Sequence, residues 1–301
     1  MIPLYPMSTL TKVFRVHKEG VLREFMRSDL KFSRQLLKKV KTAGKLFVNG
    51  GEAHLNYPIN QGDLLTVVFP EEERGLHMTG EPVPLSIIYE DEDILILNKP
   101  PGIAVSPGRD HTSGTLAQGI LYYYDEHDIP FTVHIVTRLD RDTSGLVLVA
   151  KHSYSHSVLT AEGFRVDRKY TALVEGRNLE DQGTIDKPIR RNPSSIIQRE
   201  VHEEGKKAIT EFRVLEKTSS CSKIKCKLLT GRTHQIRVHM ASLNSPILGD
   251  SLYGSEFKGL KGQALHCHEL AVMHPWTGKC MKFTCSHPKE WDYILKADSR
   301  S

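Results

Sequence analysis

The stretch Arg138-Leu139-Asp140-Arg141-Asp142-Thr143-Ser144-Gly145 gathers carboxylates, guanidiniums and hydroxyls into a few residues. Apolar runs flank it: Val133, Ile135 and Val136 before, Leu146 to Ala150 after. That layout predicts strand, tight polar turn, strand, with acids held where two strands meet. A buried acid is costly unless paired. An enzyme can exploit a fixed carboxylate as a nucleophile. The alternative is an ordinary turn, in which Asp142 and Thr143 bond only to nearby backbone. Spacing alone leaves both readings open.

A second group of residues could supply the partner such an acid requires. Gly231-Arg232-Thr233-His234-Gln235-Ile236-Arg237-Val238-His239-Met240 follows a strand directly. Thr233 reads as a helix N-cap. Ile236, Met240 and Leu243 then face a core, with His234, Arg237 and Ala241 on the neighbouring face, and Asn244 and Pro246 stop the helix. An arginine near a helix start pairs with a carboxylate or binds phosphate; the same pattern also fits surface arginines on an amphipathic helix. Asp140 needs a cation to stay ionised in a low-dielectric pocket, and Arg237 or Arg232 could be that cation. Tyr170 reads either as a ring that stacks on a base or as strand core.

These groups must be positioned by the rest of the chain. Its 301 residues suffice for one large domain, or one large and one small. Hydrophobic content of 39% and charged content of 26% fit a soluble globular protein, and no apolar run approaches the length of a membrane span. Met1 to Leu10 lacks the basic start of a signal peptide, which leads to the expectation of a cytoplasmic protein. Met7 is an alternative start. The five cysteines read as reduced thiols. Cys221 with Cys226, and Cys280 with Cys285, fall in strand-like segments at an odd separation. Their side chains would point to opposite faces, so no metal site is expected.

Residues 11–70 read as a small module. Val21 to Met26 is a short apolar-periodic stretch. Ser33 caps a helix over Arg34 to Thr42, with Leu36, Leu37 and Val40 as its apolar stripe and Gly44 at its end. Lys45 to Asn49 and Leu64 to Phe69 are predicted strands, and Asn49-Gly50 is a hairpin turn. Arg34, Lys38 and Lys41 share one helix face in a segment, Arg27 to Lys45, whose charged residues are all basic but Asp29. Such single-sign enrichment favours contact with nucleic-acid phosphates over an ordinary solvated face. Residues 71–84 are polar, with glycines and prolines, and read as a linker.

From residue 85 to 297 the pattern changes. Ile94 to Leu97 is a buried strand, Thr115 to Tyr124 a helix, and Lys169 to Glu175 a strand. Ile185 to Gly205 is a loop or hairpin insertion. Ala208 to Leu215 and Lys223 to Leu229 are further strands. Many strands with few helices predict an α+β fold.

At this point four ordered stretches carry a resemblance. Asn98-Lys99-Pro100-Pro101-Gly102 comes first. Arg138-Leu139-Asp140 with Thr143-Ser144-Gly145-Leu146 follows, then Arg168-Lys169-Tyr170 with Ala172-Leu173-Val174. Gly231 to His239 with Gly249-Asp250 and Tyr253-Gly254 is the fourth. In order and number they resemble the RluA-type family of RNA pseudouridine synthases, over about Ile87 to Pro288. Residues 11–70 more loosely resemble the alpha-L RNA-binding module of ribosomal small-subunit proteins.

The resemblance implies a mixed, largely antiparallel sheet in the catalytic domain and an enzyme that isomerises uridine in RNA. It implies Asp140 as nucleophile, Tyr170 as the stacking ring and Arg237 as the basic partner. Arg138, Arg232 and Lys99 are the expected substrate-binding residues, and no cofactor is implied. The expected partner is RNA, ribosomal more than transfer, and the expected state is a monomer. Thr137 and Ser106 stand where the family usually has histidine, and His134 is the candidate to replace the first of these. A non-catalytic RNA-binding factor on the same fold is the competing reading. A metal-dependent or phosphate-ester hydrolase is disfavoured by the missing ligand spacing and phosphate loop.

Overall fold

The structure is a computed structural model and describes residues 10–75, 78–108, 112–176, 178–257 and 259–298. It begins with β1 (Thr11–Arg15), β2 (Gly20–Val21), α1 (Leu22–Ser28), α2 (Arg34–Ala43), β3 (Lys45–Val48), β4 (Gly51–Glu52), β5 (Pro58–Ile59) and β6 (Leu64–Val68). A sheet in the order β1-β6-β3-β4 is antiparallel throughout. Ser33 caps α2 by accepting the Leu36 N–H at 3.1 Å. Leu36, Leu37 and Val40 are buried; Arg34, Lys38 and Lys41 are exposed. Gly44 ends α2 through lack of space, since a Cβ there would meet the Val68 carbonyl oxygen at 2.7 Å. Asn49 and Gly50 both have positive φ, 52° and 84°, as a two-residue hairpin turn requires.

This unit is bonded firmly to the rest. Lys12 on β1 lies 3.2 Å from Asp93, which also takes His152 at 3.0 Å and the Ser155 hydroxyl at 2.9 Å. Burial raises the Asp93 carboxyl, but His152 and Lys12 outweigh it and hold it well below the carboxylate range. Phe14, Phe32 and Phe69 surround Tyr154, with ring centroids at 5.5, 5.2 and 5.7 Å. The polar segment 71–84 has no helix or strand among its described residues, yet it is pinned. Glu72 accepts the Ser153 N–H at 2.6 Å and pairs with His134 at 2.7 Å, and Arg74 bonds to Asp125 and the Phe131 carbonyl.

The large sheet uses β7 (Ile87–Glu90), β8 (Ile94–Lys99), β9 (His134–Ile135), β10 (Ser144–Ala150), β11 (Val166–Glu175), β12 (Gln182–Asp186), β15 (Ile209–Lys217), β16 (Cys221–Leu228), β17 (Leu265–Met273) and β18 (Cys280–Thr284). The helices are α3 (Leu116–Glu126), α4 (Ser153–Leu159), α5 (Gln235–Ala241) and α6 (Glu290–Asp298). The segment expected as a loop or hairpin is a hairpin, β13 (Ile189–Arg191) with β14 (Arg199–Val201). The fold is the mixed α+β class with a largely antiparallel sheet.

The strand order is β12-β15-β16-β11-β17-β10-β8-β7, with β18 on β17 and β9 on β10. The one parallel pairing among the described strands joins β10 to β17, at Ser144↔His266 and Gly145↔Cys267. Two half-sheets therefore meet at a short seam. Gly145 makes the seam possible: at φ 111° a Cβ would lie 2.3 Å from the Cys267 carbonyl oxygen. Ile94 to Leu97 and Leu146 to Ala150 are fully buried, each large side chain contributing about 1.5–3 kcal/mol. α3 opens with a Thr115/Gln118 capping box.

Candidate active site

Asp140 lies in the loop that enters β10, beside the seam. The loop is tied on every side. Thr137 accepts the Leu148 N–H on its hydroxyl at 2.9 Å, and the Asp140 carbonyl accepts the Thr143 N–H at 3.1 Å. Gln263 donates to the Thr143 hydroxyl at 2.9 Å. Asp142 pairs with its neighbour Arg141 at 3.0 Å, on the exposed side of the turn.

Lys99 corrects an expectation. It is fully buried, and its ammonium donates to the carbonyls of Pro100, Ile103 and Arg141 at 2.9, 2.8 and 2.8 Å. An ammonium has three donors, and all are spent on backbone. Lys99 therefore braces the Asp140 loop from behind and does not line the cleft. Burial lowers its pKa to about 8, against the pull of Asp142 and Asp140.

A cleft of about 760 Å³ opens over the loop, lined by Arg138, Asp140, Arg168, Tyr170, Arg232, His234 and Arg237 among others. Asp140 and Arg237, distant in sequence, meet here: Arg237 Nη1 donates to Asp140 Oδ2 at 2.9 Å. The other edge of the guanidinium grips Asp250, Nε to Oδ2 at 2.7 Å and Nη2 to Oδ1 at 2.8 Å. The Asp250 side chain has no exposed surface, whereas Asp140 is 29% exposed. Burial works against the Arg237 charge, but Asp250 and Asp140 outweigh it and raise its pKa. The alternative partner, Arg232, is exposed at the rim and donates to the Lys207 carbonyl at 2.9 Å.

Tyr170 reaches the cleft from β11. A bulge between Lys169 and Tyr170 shifts the register against β17, and bulges re-aim side chains. The residue is 4% exposed, and burial raises its hydroxyl pKa, with Cys267 adding to the effect. Arg138 is exposed at the rim, and so is Ser106. His134 does not replace the family histidine, because its ring is committed to Glu72.

The predicted cap of α5 is also corrected. His234, not Thr233, is the N-cap; it has φ 57° and makes no side-chain cap bond. The turn is secured instead by Gln235, whose Oε1 accepts from the Thr230 hydroxyl and the Arg232 N–H at 2.8 and 2.9 Å. His234 Nε2 lies 3.8 Å from Asp140 Oδ2, and burial lowers its pKa. Asp250 and His234 are the site residues that sequence reasoning passed over. Asp250 stood in a quoted motif, but nothing in its spacing tied it to Arg237.

One cluster with metal-ligand chemistry occurs among the described residues: Asp91, Asp93 and His274, with ligand atoms within 4.8 Å. Its oxygens already take other donors. Asp91 accepts from Tyr89, His274 and two backbone N–H groups, and Asp93 from Lys12, His152 and Ser155. Lys12 supplies the positive charge that a cation would bring.

A cleft pairs one half-exposed carboxylate with a buried arginine at the seam of a largely antiparallel sheet, and the chain can be set beside known proteins. The RNA pseudouridylate synthase family profile matches residues 93–242. The Bacillus subtilis protein described as uncharacterized RNA pseudouridine synthase YjbO is 43% identical over 274 residues, covering 90% of this chain and 97% of the relative. Ribosomal large subunit pseudouridine synthase D of Yersinia pestis is 34% identical, covering 88% of this chain and 86% of the relative. The solved structure of human RNA Pseudouridylate Synthase Domain Containing 1 aligns at a TM-score of 0.57 with 25% identity, over 74% of this chain and 97% of that one. The chain belongs to the RluA-type RNA pseudouridine synthases, and its activity is the isomerisation of uridine in RNA. Among the described residues no helix is long and apolar enough to cross a membrane.

Proposed function

We propose that the chain converts uridines of large-subunit ribosomal RNA to pseudouridine, with Asp140 as nucleophile. One observation carries the choice of residue: Oδ2 of Asp140 is held by Arg237, while no bond from the described residues falls on Oδ1. That oxygen is free to attack the target nucleotide. The bond from N1 to the ribose then breaks, the uracil turns, and carbon 5 joins the ribose as the bond between Asp140 and the substrate breaks and the carboxylate is regenerated. The hydrogen of carbon 5 is released, and N1 gains one. Tyr170 stacks on the flipped base, and the cleft, once filled by the RNA, keeps the detached uracil from being lost. Arg138 and Arg232 at the rim bind the flipped strand.

Residues 11–70 act as an accessory RNA-binding module, with Arg34, Lys38 and Lys41 on phosphates. Relatives named for the large ribosomal subunit, 33% to 36% identical, support the choice of substrate. RNA tritiated at uracil carbon 5 tests the proposal. Label is released from large-subunit ribosomal RNA and retained with Asp140→Ala. Release at the wild-type rate by Asp140→Ala would remove Asp140 as nucleophile. Retention with this RNA, but release from transfer RNA, would overturn the substrate.

A further inference from the structure

Two nitrogen atoms face the same oxygen of Asp140. Arg237 Nη1 is bonded to Oδ2, and His234 Nε2 stands 3.8 Å from it. The far side of the imidazole is fixed. His234 Nδ1 lies 2.8 Å from the Tyr253 hydroxyl, and that oxygen already accepts the Arg199 N–H of β14 at 2.9 Å. The hydroxyl hydrogen is then free to point at Nδ1. A neutral imidazole that accepts on Nδ1 carries its proton on Nε2. The Nε2–H therefore faces Asp140. The left-handed backbone at His234, unusual for a residue with a side chain, is what turns the ring over the cleft.

We infer that His234 is a positioning residue for the reaction: its Nε2–H and Arg237 together hold Oδ2, leave Oδ1 as the attacking oxygen, and depend on β14 and Tyr253 for the tautomer. The inference rests on Asp140 as nucleophile. At 3.8 Å the contact is longer than a hydrogen bond, and such contacts tighten when substrate closes the site. When the bond between Oδ1 and the substrate breaks, negative charge returns to the carboxylate. A second donor on Oδ2 stabilises that charge.

Nitrogen-15 NMR of the full chain reads the tautomer without any RNA. The expected result is a protonated Nε2 and a bare Nδ1 at neutral pH, with Tyr253→Phe mixing the tautomers. A protonated Nδ1 in the wild type would overturn the inference. Single-turnover release of tritium from large-subunit ribosomal RNA gives the second readout. His234→Asn keeps the left-handed backbone, which asparagine tolerates, but is too short to reach Oδ2. It slows the reaction about 100-fold at unchanged RNA affinity. His234→Gln returns an N–H to the Nε2 position and recovers the rate to within about tenfold. An Asn variant at the wild-type rate, or one that loses only affinity, rejects the positioning role. Full activity in Asp140→Asn would sink the nucleophile reading instead, and would leave the NMR result standing.

Discussion

Asp250 lies behind Arg237, joined to it by bonds of 2.7 and 2.8 Å and wholly buried, while the free edge of the same guanidinium reaches Asp140. The buried acid neutralises and aims the arginine, and the exposed acid takes what it offers. Arg237 is thus a fixed clamp whose geometry is set away from solvent, where competing water cannot loosen it.

Replacing Asp250 by Asn tests this arrangement. Removing one charge from a buried pair costs about 3 kcal/mol, measurable by urea denaturation. The turnover of tritiated RNA falls about 100-fold, because Arg237 is no longer aimed. A variant with wild-type turnover would show that Asp250 stabilises the fold without orienting the site.

Lys99→Met keeps a long buried chain and deletes three bonds to carbonyls, two in the turn after β8 and one, Arg141, in the Asp140 loop. Buried acceptors left unpaired cost about 1–3 kcal/mol. The expected outcome is a lower Tm together with a slower chemical step and little change in RNA affinity. A large loss of affinity alone would return Lys99 to the substrate-binding set.

Stability should fall on acidification in two stages. Burial lowers the imidazoles of His266 and His268 to about 4, from an ordinary 6.5. For Glu72, burial raises the pKa, but His134 and Ser153 bring it down to about 2 from 4.5. In all three the folded pKa lies below the unfolded one, so the unfolded chain binds more protons at low pH. Their contribution is complete above the unfolded pKa and is lost as pH drops. The histidine part goes between about 6.5 and 4, the Glu72 part between about 4.5 and 2. Thermal unfolding across pH reads the slope. His266→Gln lessens the upper stage, leaving the His268 part, and does not touch the lower one; an unchanged upper stage would contradict the assignment.

Replacing Arg34, Lys38 and Lys41 together with Gln should weaken RNA binding and reduce the slope of log affinity against log salt by about 2–3. The three side chains are exposed and serve no core, so each substitution should shift the Tm by no more than about 2 °C. An unchanged salt slope would make the stripe a solvated surface only.

Much of the scaffold was legible because its signals are local. Ser33 three residues before Leu36, the Asn49-Gly50 pair and the unbroken run Ile94 to Leu97 each carry their own physical reason. The site was legible only in part. Asp140, Tyr170 and Arg237 stood out as chemistry, and the structure brings them to one cleft. Thr233 carries the hydroxyl that favours a cap position, whereas the chain turns at His234 through a left-handed backbone. Lys99 stands in a motif whose resemblance implies a substrate contact, while its three carbonyl partners lie in loops, which leave no pattern in spacing. The pinning of Glu72 depends on His134 and Ser153, partners that no local periodicity connects to it.

The seam between β10 and β17 also sets an order of events during synthesis. β7, β8, β9 and β10 can pair among themselves as soon as Ala150 is made, but Leu265 follows only after a long further stretch of chain. At ribosomal speeds that interval is on the order of ten seconds. Throughout it Ser144 and Gly145 lack their parallel partner on β17, and for most of it Asp140 has neither Arg237 nor Asp250 behind it. The nascent protein can expose its basic helix long before it owns a finished catalytic centre.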